Sequence, residues 1–167
     1  MEIPTGSLGQ GLSIANGLAL AARLGGHGSR VHVLLGDGEV QEGQIWEAAM
    51  TAAHYGLDNL VGVLDRNRLQ IDGHTAEVMS IEPIADKWRA FGWHTLEVDG
   101  HDIPQLLEAF QTCRGVKGRP SMIIAHTVKG KGVSIFEGQK KYHGVAPNPE
   151  EYQRALEELQ ATPGCLT

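Results

Sequence analysis

The sequence predicts an α/β protein in which a parallel sheet carries helices on both faces. Short apolar strands alternate along the chain with longer segments of helical character. Polar turns follow at least two of the strands directly. The length of 167 residues and the hydrophobic content of 41% suit a single domain with one core. Strands that alternate with helices form parallel sheets through right-handed crossovers.

The first half of the chain predicts two helices and two buried strands. Residues 8–24 are rich in Ala and Leu and contain glycines, which is typical of a helix packed closely on a sheet. Residues 31–35 form a short strand that ends in a Gly-Asp-Gly turn. A helix at about residues 40–55 has its apolar side chains largely on one face. Residues 60–65 are almost continuously apolar, as in a parallel strand covered on both faces.

The alternation continues after this strand. A polar loop over residues 66–75 precedes a helix at about residues 81–91, for which Ser80 is the predicted N-cap. A strand follows at residues 93–98. The repeated change from strand to helix is the pattern of crossover units and extends the predicted sheet.

Asp102 is expected to cap the next helix, over residues 103–114. Gln105 stands three residues later, where it completes a capping box. Residues 121–127 are predicted as the last strand, so the sheet has four predicted strands in this chain.

The remainder of the chain is divided into a loop and a helix. Residues 128–147 contain several glycines and no sustained period, which indicates a loop that we expect to belong to an active site. Asn148 and Pro149 then begin a predicted helix over residues 148–161, which ends before Pro163. We treat the whole chain as one domain.

Composition argues against several classes of partner. The formal net charge is −6, and no basic patch of the kind that neutralises nucleic acid is present. No apolar run approaches the roughly 20 residues that span a bilayer, and no export signal begins the sequence. Cys113 and Cys165 lie far apart and show no metal-binding spacing. We expect a cytoplasmic protein that binds neither nucleic acid nor membranes.

Polar residues follow two predicted strands where the strands end. Asp37 follows the first strand between two glycines, in a turn that we expect to face solvent, and Asn67 follows the second. Ligands of open parallel sheets bind at the carboxyl ends of strands, so these side chains would meet if the strands are neighbours. Their oxygens, with a backbone carbonyl such as that of Leu69, suit Mg²⁺ bound to a diphosphate.

Each part of this pattern also has an ordinary explanation. A single Gly-Asp-Gly is more often a simple turn than a cofactor site. An EF-hand does not fit, because Leu69 and Gln70 stand where that loop needs an oxygen ligand and a glycine. Neither a Walker A lysine motif nor GxGxxG is present, which leaves open an unrelated doubly wound nucleotide-binding protein.

A longer set of motifs resembles the transketolase family, in particular the separate amino-terminal subunit of its split members. The resemblance covers the chain from Thr5 to about Leu159. Its motifs are TGSLGQG at 5–11, GDGE at 36–39, QEG at 41–43, DRN at 65–67, QIDG at 70–73, DGHD at 99–102, KGRPS at 117–121, KGKG at 129–132 and HG at 143–144.

The resemblance implies a thiamine-diphosphate-binding fold with thiamine diphosphate and Mg²⁺ as cofactors. It also implies transfer of a two-carbon ketol unit from a ketose phosphate to an aldose phosphate. Asp37, Asn67 and the Leu69 carbonyl would hold Mg²⁺, and His143 would lie near the donor substrate as a catalytic residue. The residues that the resemblance implies for cofactor binding are Gly6, Leu8, Gly36, Gly38, Glu39, Asn67 and Leu69.

The resemblance also implies that this chain does not act alone. In the family an activating glutamate lies on a pyrimidine-binding domain, which this sequence lacks. Family members also have a strand and other elements before the loop at residues 6–11, so we expect a fold lacking its amino-terminal part. We expect no activity without a carboxyl-terminal, pyrimidine-binding partner subunit, and assembly into homo- or hetero-oligomers.

Two alternatives remain open at this point. The chain could be a truncated, non-catalytic remnant that folds and oligomerises. It could instead be part of another thiamine diphosphate enzyme, such as a deoxyxylulose-phosphate synthase. The QIDG run at residues 70–73 favours transketolase over these related enzymes.

Overall fold

A computed structural model describes residues 3–161 and shows a parallel sheet flanked by helices. The helices are α1 (Gln10–Leu24), α2 (Gly43–His54), α3 (Thr75–Val78), α4 (Ile84–Ala90), α5 (Ile103–Gly115) and α6 (Pro149–Ala161). The strands are β1 (Val31–Gly36), β2 (Leu60–Arg66), β3 (His94–Asp99) and β4 (Ser121–His126). Two short 3-10 helices lie at Glu39–Gln41 and Lys140–His143.

The four strands pair in the order β1-β2-β4-β3, and every pairing is parallel. β1 therefore lies beside β2, and the register sets Gly36 opposite Asp65 at their carboxyl ends. On the other side of β2, Arg66 lies opposite His126 of β4. The predicted neighbour relation between the first two strands is confirmed.

Helices cover both faces of the sheet, as predicted. Leu60 and Leu64 of β2 lie in the larger core, with α1, α2 and Trp88 of α4. The alternate residue Val61 lies in a smaller core on the opposite face, with Ala109 of α5. None of the helices within residues 3–161 combines the length and apolar character needed to cross a membrane.

The β1 edge of the sheet is only partly covered by the described residues. Val33 and Leu35 belong to the larger core, so Leu34 projects from the α5 face, where it is 71% exposed. At the same face the His32 ring contacts Phe110 of α5 edge-on, with 5.5 Å between ring centroids. An apolar side chain on an edge strand is a feature that favours association with another surface.

The helix predicted at about residues 40–55 is interrupted. The 3-10 helix at Glu39–Gln41 ends at Glu42, whose extended backbone separates it from α2. The Val40 carbonyl accepts the indole N–H of Trp46 at 3.0 Å, so this side chain takes the place of a backbone donor. Because Val40 is fully buried, the interruption also points that side chain into the core.

The N-cap predicted at Ser80 is wrong. The helix α4 begins at Ile84, and the Ile84 N–H is accepted by the Glu82 carboxylate at 3.0 Å. Glu82 precedes Pro83, and a residue before proline is disfavoured in helical conformation. The proline thus delays the helix by three residues, while the unpredicted short helix α3 occupies the end of the preceding polar loop.

The cap predicted at Asp102 is confirmed, with a different second partner. Asp102 accepts the Gln105 N–H at 3.0 Å. The Gln105 side-chain oxygen accepts the N–H of Asp99 at 3.2 Å, rather than that of Asp102. The Asp102 N–H is already bonded to the Asp99 carbonyl, so no donor remains there for a reciprocal bond.

The start of the last helix is also confirmed. Asn148 accepts the Glu151 N–H at 2.8 Å, and the Glu151 carboxylate accepts the Asn148 N–H at 2.9 Å. This reciprocal pair is a capping box. The helix is described to Ala161, and the predicted stop at Pro163 lies outside the described residues.

Candidate functional site

The polar turns after β1 and β2 meet at the carboxyl edge of the sheet. The Asp37 N–H donates to the Asp65 carbonyl at 3.2 Å, which extends the strand pairing by one bond. One residue on, a Cβ added at Gly38 would lie 2.8 Å from the Gln70 Cβ. Gly38 is therefore required for the close approach of the two loops.

Asp37 is buried at this junction, with 1% of its surface exposed. Its Oδ2 accepts the backbone N–H of Arg68 and lies 3.3 Å from the Arg66 Nη1. Burial raises the pKa of the Asp37 carboxyl, and the Arg68 N–H and the Arg66 charge oppose that rise. The expected solvent-facing turn is wrong, because the loop after β2 folds over the carboxylate.

Arg66 is a buried cation for which the sequence analysis assigned no role. It is 7% exposed and lies between two carboxylates, those of Asp37 and Glu82. The alternation along β2 offered a sequence signal, because it sets Arg66 on the same face as Leu64. A cation on a covered face requires acidic partners.

Asn67 and Leu69 form a tight turn after β2. The Asn67 Oδ1 accepts the Leu69 N–H at 2.9 Å, with Arg68 between them in the left-handed region at φ 67°. Two backbone hydrogen bonds that close the following loop use the carbonyls of Arg68 and Gly73 as acceptors, not that of Leu69. An amide oxygen has two lone pairs, so the bond to Leu69 leaves Asn67 one acceptor position.

These oxygens suit a hard divalent ion that shares its coordination with a diphosphate. Across residues 3–161, no group of three or more His, Cys, Asp and Glu side chains is placed to hold a metal ion. The available set is the Asp37 carboxylate, the Asn67 amide oxygen and the Leu69 carbonyl. Mg²⁺ takes oxygen ligands and usually keeps positions for phosphate and water, so the set fits Mg²⁺-diphosphate.

Glu39 joins two of the loops that were predicted to lie beside the cofactor. One carboxylate oxygen accepts the Gly9 N–H at 3.0 Å, and the other accepts the Gly36 N–H at 3.1 Å. Gly9 has a left-handed backbone with φ 85°, and α1 begins at the next residue rather than at Leu8 as predicted. Glu39 thus holds the first loop against the end of β1.

Gly6 and Leu8 lie on the open side of the first loop. A Cβ added at Gly6 would have no atom within 4 Å, and Leu8 is 52% exposed. Gly36 likewise has only the Glu39 Cβ near it, at 3.9 Å. These positions leave space at the surface for a bound group, and their assignment to the cofactor stays a prediction.

His143 lies in the 3-10 helix at Lys140–His143 and is exposed. Lys140 donates to the Asp72 carbonyl at 2.7 Å, which fastens this segment to the loop after β2. The loop that contains Asn67 therefore lies next to the segment that contains His143. The catalytic role of His143 stays a prediction, because the contact positions the segment rather than a substrate.

The segment 128–147 is held at both ends. At its start, the Val128 N–H donates to the His101 Nε2 at 2.8 Å. Near its end, Glu151 of α6 accepts hydrogen bonds from Lys141 and Tyr142, each at 2.9 Å. The Asn148 N–H and these two donors lower the pKa of Glu151 to about 2. The predicted loop is thus an anchored segment.

Comparison with known proteins identifies the family. Residues 1–164 match the family described as transketolase, thiamine diphosphate binding domain. One subunit of the apulose-4-phosphate transketolase of Phocaeicola vulgatus is 46% identical over 159 residues, which cover 95% of this chain and 57% of that protein. The 6-deoxy-6-sulfo-D-fructose transketolase subunit SqwG of a Clostridium species is 44% identical, with 96% and 58% covered.

Solved structures agree with this match. The crystal structure of transketolase from Campylobacter jejuni has a TM-score of 0.88 and 32% identity, and the match covers 95% of this chain and 26% of that chain. This chain spans little more than half the length of the two subunit relatives. The predicted α/β fold and the family's cofactors, thiamine diphosphate with a divalent ion such as Mg²⁺, are confirmed at the level of the family. The chain belongs to the transketolase family and carries its thiamine diphosphate binding domain.

Proposed function

We propose that this chain is the part of a transketolase that binds the diphosphate and Mg²⁺. The complete enzyme transfers a two-carbon ketol unit from a ketose phosphate to an aldose phosphate. One observation carries the proposal: in a member of this family, Asp37 and the Asn67 turn lie at the carboxyl ends of adjoining strands. Thiamine diphosphate, when bound, supplies the chemistry that breaks and forms the carbon–carbon bond.

Three oxygens of this chain bind the metal in this proposal. Asp37 provides the charged ligand, Asn67 a side-chain amide oxygen and Leu69 a backbone carbonyl. The contact between the turns after β1 and β2 supports the assignment, because it brings their residues to one edge. The diphosphate and water complete the coordination.

The glycines of the two loops give the cofactor close access to the backbone. Gly6, Gly36 and Gly38 present no side chain, and Leu8 borders the same surface. Glu39 acts indirectly in this proposal, because its two oxygens already accept the N–H groups of the first loop and of β1. A carboxylate in direct contact with a diphosphate would also be repelled by it.

His143 acts on the donor substrate in this proposal. Its exposed ring is carried on the segment that Lys140 fastens beside the turn containing Asn67. An imidazole in that place can hold or release the proton of a substrate hydroxyl near neutral pH. The anchored ends of residues 128–147 keep the ring on the same side as the metal ligands.

A pyrimidine-binding partner subunit completes the active site in this proposal, within a homo- or hetero-oligomer in the cytoplasm. Two relatives are each named as one subunit of an apulose-4-phosphate transketolase, which supports the existence of a second subunit. Leu34 on the partly uncovered face of β1 offers apolar surface for assembly. The relatives are named for a phosphorylated and a sulfonated sugar, so the donor is a ketose with an anionic group.

An assay of ketol transfer tests the proposal. The purified chain is incubated with Mg²⁺, thiamine diphosphate, xylulose 5-phosphate and ribose 5-phosphate, with and without a carboxyl-terminal transketolase subunit. We expect turnover only when the second subunit is present. Turnover by the chain alone would contradict the need for a partner. Failure to bind the cofactor in the presence of Mg²⁺ would favour a non-catalytic remnant.

A further inference from the structure

Arg66 is a buried cation placed directly against the proposed metal ligand. Its side chain is 8% exposed, and its guanidinium contacts the carboxylates of Asp37 and Glu82. A cation beside a cation-binding site is at first sight unfavourable, because it repels the incoming ion. Its retention in a buried position therefore calls for a structural reason.

The hydrogen bonds of Asp37 supply that reason. The Arg66 Nη1 and the backbone N–H of Arg68 act on the same oxygen, Oδ2. The backbone N–H of Gly38 also bonds to the carboxylate. Within residues 3–161 no side chain donates a hydrogen bond to Oδ1 among the contacts of Asp37. Two donors on Oδ2 fix the carboxylate plane and leave Oδ1 for another ligand.

Glu82 holds Arg66 in place and compensates its charge. One Glu82 oxygen contacts the Arg66 Nη2, and the other accepts the Ile84 N–H at 3.0 Å at the start of α4. The acidic group is thus fixed to the backbone rather than free to move. Asp37, Arg66 and Glu82 together carry one net negative charge, which keeps the site attractive to a divalent cation.

We propose that Arg66, oriented by Glu82, is a positioning residue that holds the Asp37 Oδ2 so that Oδ1 faces the metal. This inference rests on the proposed function, since it assigns Arg66 a role toward the ion that Asp37 binds. Groups that orient metal ligands through hydrogen bonds commonly change metal affinity about 10- to 100-fold when they are removed.

The sign of the Arg66→Met effect distinguishes positioning from charge alone. If Arg66 acted only through its charge, its removal would strengthen binding of a divalent ion. Positioning predicts weaker binding, by about 10- to 100-fold. Glu82→Gln leaves the Arg66 charge uncompensated and its orientation loosened, so it also weakens binding. Arg66→Lys keeps the charge but has a single nitrogen for two carboxylates, so it restores binding in part.

Titration with Mn²⁺ measures these affinities in the full chain. Free Mn²⁺ is followed by electron paramagnetic resonance in the presence of thiamine diphosphate. The matched control is Arg89→Met, because Arg89 also contacts two carboxylates, Asp86 and Glu97, at an exposed place. We expect weaker binding in Arg66→Met and Glu82→Gln, and wild-type affinity in the control.

A second readout needs no cofactor. The backbone N–H of Arg68 is bonded to the Asp37 Oδ2. Loss of the fixed carboxylate should therefore accelerate hydrogen exchange of this amide in Arg66→Met and leave it unchanged in Arg89→Met. If Arg66→Met does not fold, as judged by circular dichroism, Glu82→Gln decides by both measurements.

The outcomes separate this inference from the proposed function. If the wild-type chain binds no Mn²⁺ with thiamine diphosphate, the proposed function falls and the inference falls with it. If the wild type binds but Arg66→Met and Glu82→Gln bind equally well or better, only the inference is overturned. Weakened binding together with faster exchange at Arg68 supports it.

Discussion

The carboxylate of Glu39 accepts the backbone N–H of Gly9 at 3.0 Å, although the two residues are 30 positions apart. The second oxygen of Glu39 accepts the Gly36 N–H at 3.1 Å. One side chain therefore fixes the first loop of the chain to the end of β1. The loops that we propose to lie beside the cofactor are held together before any ligand binds.

Glu39→Ala is expected to loosen this junction. Hydrogen bonds to charged groups contribute about 1.5–3 kcal/mol, so the free energy of unfolding should fall by an amount of that order. Hydrogen exchange should accelerate at the Gly9 and Gly36 amides. Glu47→Ala is the control, because Glu47 is exposed on α2. Unchanged exchange at both glycines would show that the Glu39 bonds do not hold the loops.

Asp37→Asn is expected to abolish Mg²⁺-dependent binding of thiamine diphosphate without unfolding the chain. The substitution keeps the shape of the side chain and removes its charge. Because burial raises the pKa of Asp37, the ionised carboxylate is costly in the metal-free protein, and the amide should not lower its Tm. Calorimetric titration and thermal unfolding measure the two effects. Retention of Mg²⁺-dependent binding would remove Asp37 from the proposed site.

His143→Ala is expected to lower turnover far more than it weakens cofactor binding. The proposed contact acts on the donor substrate during the reaction, so kcat should fall while the Kd of thiamine diphosphate changes little. The measurement requires the chain together with a pyrimidine-binding subunit. His27→Ala, at an exposed position, serves as the control. Equal turnover in the two variants would make His143 a solvated loop residue.

Acid is expected to release the end of the segment 128–147 from α6. The pKa of Glu151 is lowered from 4.5 to about 2 by the Asn148 N–H and by Lys141 and Tyr142. A lowered pKa means that the contribution of Glu151 to stability is complete above about pH 4.5 and is lost as the pH falls towards 2.

Hydrogen exchange at the Asn148 amide between pH 5 and pH 3 measures this release. Glu151→Gln should show at pH 5 the faster intrinsic-corrected exchange that the wild type shows only in acid. Glu150→Gln, with an exposed side chain on the same turn, should behave as the wild type. An Asn148 amide that is equally protected in Glu151→Gln would contradict the contact.

Much of the fold could be predicted because it is encoded locally. The apolar run of β2 and the caps at Asp102 and Asn148 depend on residues a few positions apart, and the structure confirms them. The prediction at Ser80 is wrong for an equally local reason, since Pro83 restrains the residue before it. A pattern search that favours serine caps overlooks this effect.

The candidate site was harder to predict because it depends on strand order. Asp37 and Asn67 could be proposed as neighbours only if β1 and β2 pair, which no local pattern fixes. The burial of Asp37 and its contact with Arg66 arise from the loop that folds over the turn. The role of Glu82 required the position of α4 against the end of β2.

The central claim is that this chain binds thiamine diphosphate through Mg²⁺ held at Asp37 and Asn67. Isothermal titration of thiamine diphosphate into the purified chain, with Mg²⁺ and then with the metal removed by chelation, tests it most directly. We predict saturable binding with Mg²⁺, which chelation and Asp37→Asn each abolish. Absence of binding in the presence of Mg²⁺, or binding that persists without a divalent ion, would contradict the account.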